Sequence, residues 1–181
     1  FCRHSAFCIC HSPPTPRSAV AFVHDPRENR LLICGGERQG NPSGGLWSLT
    51  LSEVPVWDSL EVEGIPPPDR AAPAAAYDAT RDRVLLFGGG QDSSQADLWA
   101  LSLRPTLSWI RLMASDMQVQ PRYSATPIFD PLRRRIVTFG GVYTYYFHYD
   151  YYNQPYGDAV SLSSEDVPQW EVLSPSGAGP S

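Results

Sequence analysis

Seven of the nine tyrosines lie in one stretch, Val142–Tyr156, as Tyr143, Tyr145, Tyr146, Tyr149, Tyr151, Tyr152 and Tyr156, with Phe147 and His148 among them. A tyrosine ring supplies a large, rigid contact area and a polar tip, so this run reads as a recognition surface. The competing reading is packing, with the rings folded over their neighbours or capping a channel. Binding is the stronger expectation, because a fold does not need so many rings in one insertion.

The other clusters carry less chemistry. Cys2, His4, Cys8, Cys10 and His11 form the one metal-like group. Zinc knuckles space paired cysteines by two to four residues. Cys8-Ile9-Cys10 is tighter than that, and no second pair follows, so no metal or cofactor is assigned. Gly88-Gly89-Gly90 lacks the Lys-Ser/Thr that follows in a phosphate-binding loop. Arg133-Arg134-Arg135 reads as a solvated turn. Cys34 reads as a small buried hydrophobe, and His24 as a helper of the turn at Asp25. No catalytic Ser/His/Asp or Cys/His set stands out among four histidines.

Composition narrows the class. The net charge is −5 and the pI is about 5.3, against the basic face that nucleic-acid binders carry. All 14 basic residues are arginine, which removes lysine Schiff bases and lysine general bases. No apolar run approaches the roughly 20 residues of a membrane helix. With 18 Pro, 14 Gly and 21 aromatic residues (5 Trp, 9 Tyr, 7 Phe), the chain reads as short strands joined by turns.

The elements that must position these residues come from an internal repeat. Pro16–Gly36, Asp69–Gly89 and Pro121–Gly141 share one pattern: an arginine, small residues, Asp, then an apolar run into Gly-Gly. Arg17, Arg70 and Arg122 are spaced 53 and 52 residues apart. Downstream, Leu46-Trp47-Ser48-Leu49 matches Leu98-Trp99-Ala100-Leu101, and Trp57 matches Trp109. In the third copy the matches are Ala159-Val160-Ser161-Leu162 and Trp170, after about nine extra residues. All five tryptophans sit on repeat positions, which marks them as packing residues.

Each copy reads as four short antiparallel strands, A to D. Strand A follows the arginine, B is the apolar run, C is the Leu-Trp-x-Leu stretch and D starts at the second Trp. Asp25, Asp78 and Asp130 are placed to cap the A–B turns. The diglycines permit positive φ where B ends. Four strands in about 50 residues is the signature of a propeller blade.

In these features the sequence resembles the kelch-repeat family of β-propellers. The departures are Val160 for a strand C Trp, Gly45 where the other copies have Asp97 and Asp158, and Cys34 for Phe87 and Phe139. The expected fold is all-β: three four-stranded antiparallel sheets forming an open, incomplete propeller. Expected boundaries are 1–15 for the tail of a preceding blade, with Phe7–Cys10 as its strand D, or for an irregular segment, then 16–64, 65–116 and 117–173 for three blades, and 174–181 for a link onward. The resemblance implies a ring of five to seven blades, so further blades are expected beyond this stretch. Three blades alone are expected to self-associate or to be marginal.

In an antiparallel meander the B–C loop and the D–A link share one end of the blade. The Tyr-rich B–C loop then shares a face with Arg38, Gln39, Asn41, Gln91 and Asp92, near the start of strand A. The resemblance implies partner binding there. The expected ligand-binding set is Tyr143, Tyr145, Tyr146, Phe147, His148, Tyr149, Tyr151, Tyr152, Tyr156, Arg38 and Gln91. The leading function is a non-catalytic interaction module for a protein or peptide, with a glycan as second choice and no nucleic-acid or membrane partner. The alternative is an enzyme, since some kelch-like propellers resemble copper radical oxidases or sugar-acid isomerases. A copper site of that kind needs a Cys near one of its tyrosines, and none lies near His148.

Overall fold

The computed structural model describes residues 13–90, 96–114 and 119–176. The expected strand at Phe7–Cys10, the Cys/His cluster and the link after Ser176 lie outside these residues. Blade 1 comprises β1 (Ala21–Asp25), β2 (Arg30–Cys34), β5 (Leu46–Thr50) and β6 (Trp57–Ser59), with β3 (Glu37–Arg38) and β4 (Asn41–Pro42) inserted. Blade 2 comprises β7 (Ala74–Asp78), β8 (Arg83–Phe87), β9 (Leu98–Ser102) and β10 (Ser108–Leu112). Blade 3 comprises β11 (Thr126–Asp130), β12 (Arg135–Phe139), β15 (Ala159–Ser163) and β16 (Trp170–Leu173). Its insertion forms β13 (Val142–Phe147) and β14 (Asp150–Pro155). Each blade is a four-stranded sheet in A–B–C–D order, antiparallel throughout. Among the described residues there is no helix, and so none long and apolar enough to cross a membrane.

Blade packing follows from strand composition. β1 alternates buried and exposed residues, as a sheet covered on one face requires. β8 is buried at all five positions, because blades 1 and 3 cover both faces of blade 2. One core joins blades 1 and 2 through Leu32, Val84, Trp99 and Leu101. The other joins blades 2 and 3 through Leu85, Phe87, Ile136 and Leu162. Burying each such side chain contributes about 1.5–3 kcal/mol. The A strands β1, β7 and β11 pack side by side, and small Ala74 and Ala76 suit that crowding.

The repeat motif is a set of struts. Arg70 is 1% exposed; its Nη1 donates to the Gly88 carbonyl at 3.0 Å and to Asp97 at 2.7 Å, and its Nη2 to Asp97 at 2.9 Å. Arg122 does the same with the Gly140 carbonyl and Asp158, at 2.8, 2.8 and 3.0 Å. In blade 1, Gly45 removes the carboxylate. Arg17 instead donates to the carbonyls of Gly35 and Gly44, at 3.2 and 2.9 Å. The diglycines let the next blade approach. A Cβ on Gly35 would lie 2.7 Å from the Arg70 carbonyl oxygen, and one on Gly89 would lie 2.9 Å from that of Ala71.

The A–B turns are capped by aspartate as the sequence implies. Asp25 accepts from the Arg27 amide, Asp78 from Thr80, and Asp130 from Leu132 and Arg133. The arginine five residues on pairs with the same carboxylate in all three blades, at 3.0, 2.9 and 3.6 Å. The His24 side chain takes no part: it is exposed on β1 and makes no hydrogen bond among the described residues. Its strand alternation points it away from the blade 1–2 core, which β1 faces with Ala21 and Val23. Cys34 is buried as expected, and desolvation pushes its thiol up to about 12.

Candidate functional site

The stretch read from sequence as a loop is a β-hairpin. β13 and β14 pair antiparallel from Val142↔Pro155 to Phe147↔Asp150. Val, Thr, Tyr and Phe are strong strand formers, so the stretch forms its own ladder. The turn is His148-Tyr149, both in the left-handed region with φ of 50° and 66°. A two-residue turn of that kind matches strand twist but favours Asn-Gly.

Alternation along the ladder divides the rings between two faces. On one face Tyr143 stacks on Tyr145 at 6.0 Å between centroids, Tyr145 on Tyr152 at 5.6 Å, and Phe147 meets Tyr152 edge-on at 6.4 Å. On the other, Tyr146 and Tyr151 lie 5.1 Å apart. Beyond Thr144 every residue of the hairpin through Pro155 is exposed.

The base of the hairpin is locked to blade 3. The Tyr123 and Val142 amides each donate to the other's carbonyl at 2.9 Å. Thr144 Oγ1 donates to Asn153 Oδ1 at 2.7 Å and lies 3.1 Å from the Tyr123 hydroxyl. The Arg122 guanidinium sits 4.4 Å from the centre of the Tyr156 ring, a cation–π contact. Burial raises the Tyr156 hydroxyl pKa, with Arg122 opposing it. The strut that holds blade 3 together thus also seats the hairpin.

The hairpin brings together Tyr145, Tyr146, Phe147, Tyr151 and Tyr152, with His148 and Tyr149 at the tip. Tyr143 and Tyr156 are partly buried at the base, and Tyr156 serves the strut. Arg38 is exposed on β3, whose small hairpin with β4 turns at Gln39-Gly40. That hairpin belongs to blade 1, with blade 2 between it and the aromatic hairpin. Gln91 and Asp92 lie outside the described residues. Tyr123, Thr144 and Asn153 escaped the sequence reading; their one signal is that Tyr123 directly follows a repeat arginine. Among the described residues no three His, Cys, Asp or Glu side chains form a metal-binding group. A cleft of about 220 Å³ between blades 1 and 2 is lined by Leu46, Leu60, Trp109 and Arg70, where Arg70 is already engaged by its strut.

Residues 5–181 match the family described as the KLHDC2/KLHL20/DRC7 Kelch-repeats domain. The chain belongs to the kelch-repeat family. A solved structure titled "Structure of YjhT" is similar with a TM-score of 0.64 and 14% identity, covering 90% of this chain and 47% of that one. At that identity the likeness shows the fold. This kelch chain spans about half the length of that structure. Its kelch struts are complete in blades 2 and 3 and lack the carboxylate in blade 1. The aromatic hairpin is an addition to the kelch repeat at the B–C position of blade 3.

Proposed function

We propose that this chain is a non-catalytic binding module that engages a protein or peptide through the blade ends carrying the B–C and D–A connections. The principal contact is the face of the hairpin formed by Tyr145, Phe147 and Tyr152. One observation carries the reading: these three rings form one contiguous cluster, Tyr145 stacked on Tyr152 and Phe147 edge-on to it, while 38%, 56% and 43% exposed in the order Tyr145, Phe147, Tyr152. Membership of the kelch family, whose propellers serve as interaction modules, supports it. Rigid aromatic rings present contact area at low entropic cost, and a ladder of them matches an extended peptide laid along the strands.

The test is selection of peptides from a displayed library against the 181-residue chain, followed by calorimetry with hairpin variants. Replacing Tyr145, Phe147 and Tyr152 together by Ser should weaken a selected peptide about thirtyfold or more, as for truncated hot spots. The melting temperature should hold, because all three side chains are exposed. Peptides that bind the variant equally well place the site elsewhere. Binding on a glycan array without any selected peptide moves the ligand class to carbohydrate.

A further inference from the structure

We infer that Tyr146 and Tyr151 form a covalent modification site. One-electron oxidation, with hydrogen peroxide as the oxidant and a peroxidase as its mediator, joins their rings as dityrosine and staples the hairpin across its two strands.

The register of the hairpin supplies the first argument. Phe147↔Asp150 closes the two-residue turn at His148-Tyr149, so it is a pair that exchanges both backbone hydrogen bonds. Pair types alternate along an antiparallel ladder, which makes Tyr146↔Tyr151 a non-hydrogen-bonded pair. The far end of the ladder is consistent with that count. Val142↔Pro155 falls in the same class, and the Val142 amide and carbonyl turn outward to Tyr123. Opposed residues of this class have Cα atoms about 4.5 Å apart, against about 5.5 Å in the other class, so their side chains lie closer. The ring positions follow. Tyr146 and Tyr151 are 5.1 Å apart between centroids, with planes inclined at 57°. That tilt turns the edge of one ring toward the other. Tyr145 and Tyr152, a hydrogen-bonded pair, are 5.6 Å apart at 20° and present faces instead. Coupling needs edges, because the new bond joins the ring carbons beside the two hydroxyls.

Freedom and access favour the same pair. Tyr145 is also held by Tyr143, and Tyr152 by Phe147. Among the described residues, Tyr146 and Tyr151 make no ring contact except with each other, so each can turn about its side-chain bonds. They are 59% and 54% exposed, which admits a small oxidant. Val142–Pro155 contains no cysteine or methionine, so the hairpin carries no sulfur to consume the oxidant in their place.

The step balances. Each phenol gives up one electron and its hydroxyl proton, leaving a radical shared by the oxygen and the ring carbons beside it. The two radicals pair to form one carbon–carbon bond between such carbons. Each joined carbon then loses its hydrogen as a proton, and a proton returns to each oxygen, restoring both hydroxyls. The net loss is two electrons and two protons, which convert one hydrogen peroxide to two waters. The staple lies on the face opposite Tyr145, Phe147 and Tyr152, since neighbours along a strand point to opposite sides. It fixes the ladder and leaves those three rings untouched, whether or not that face binds a peptide.

The 181-residue chain, kept dilute with peroxidase and limiting hydrogen peroxide, is expected to become two hydrogens lighter by denaturing mass spectrometry, with no covalent dimer. It should gain the blue fluorescence of dityrosine. Proteolysis before Asp150 separates Tyr146 from Tyr151 in the untreated chain. In the treated chain the two fragments should stay joined, and fragment sequencing should place the link between Tyr146 and Tyr151. Tyr146→Phe and Tyr151→Phe keep the ring and the strand, and each should abolish the link. Tyr145→Phe and Tyr149→Phe should retain it. A chain that stays unlinked overturns the inference, as does a link mapped to another pair. Joining only between molecules, through Tyr149 at 94% exposure, overturns it as well.

Discussion

Arg70 and Asp97, 27 residues apart, close a two-pronged ion pair whose members also bind the Gly88 carbonyl and the Trp99 indole N–H, the latter at 2.6 Å. Arg17 occupies the same place in blade 1 but faces Gly45 and holds carbonyls alone. Removing one member of a buried pair costs about 3–5 kcal/mol, because the other is left charged and alone. Losing hydrogen bonds to carbonyls costs about 0.5–3 kcal/mol. Arg70→Ala is therefore expected to lower stability more than Arg17→Ala, measured by urea unfolding. Equal losses would mean that the carboxylate adds nothing to the strut.

The same pair sets an acid limit. Burial raises the Asp97 pKa, but hydrogen bonds from Arg70 and Trp99 outweigh it, so the net shift is downward. For Asp158 the Arg122 hydrogen bond is the largest cause, and the shift is again downward. A carboxyl with a depressed folded pKa contributes stability that is complete above its unfolded value, near 3.9, and lost as pH falls through the folded value. The melting temperature should hold from neutral pH down to about 5 and fall below about 4. Asp97→Asn should flatten part of that fall and lower stability at pH 7.

The diglycines separate steric from conformational demands. Gly89→Ala places a methyl 2.9 Å from the Ala71 carbonyl oxygen and adds the cost of φ +93°. Gly40→Ala meets nothing within 4 Å and bears only the cost of φ +80°, about 1–2 kcal/mol for a left-handed residue. Thermal unfolding should show the larger loss at Gly89. A reversed order would mean that the blades separate enough to admit the methyl.

The hairpin turn carries two residues poorly suited to it. His148→Asn with Tyr149→Gly supplies the pair that this turn favours. The expected result is slower hydrogen exchange along Val142–Pro155 with little change in the global melting temperature, because the hairpin extends beyond the blade. Unchanged exchange would show that the base lock at Tyr123, Thr144 and Asn153 alone sets hairpin stability.

Much of this architecture is fixed by sequence. The recurrence of arginine, apolar run, diglycine and tryptophan determined the four strands of each sheet and their order, because each copy repeats the same local demands, but not the inserted hairpins β3–β4 and β13–β14. The Asp-capped turns were legible for the same reason: an aspartate side chain bonds the backbone two or three residues on, wherever the turn is placed. Tertiary structure decided what spacing does not encode. Arg70 and Arg122 stand in the sequence only as repeat positions, and it is the return of strand C that buries them against Asp97 and Asp158. Val142–Tyr156 looks like a loop because rings at both parities hide the alternation of a strand. Pairing of Tyr145 with Tyr152 and Tyr146 with Tyr151 then sorts those rings onto two faces. Which faces stay open depends on which blades stack, since Phe87 and Phe139 share a motif position yet one is buried by the following blade and the other is exposed.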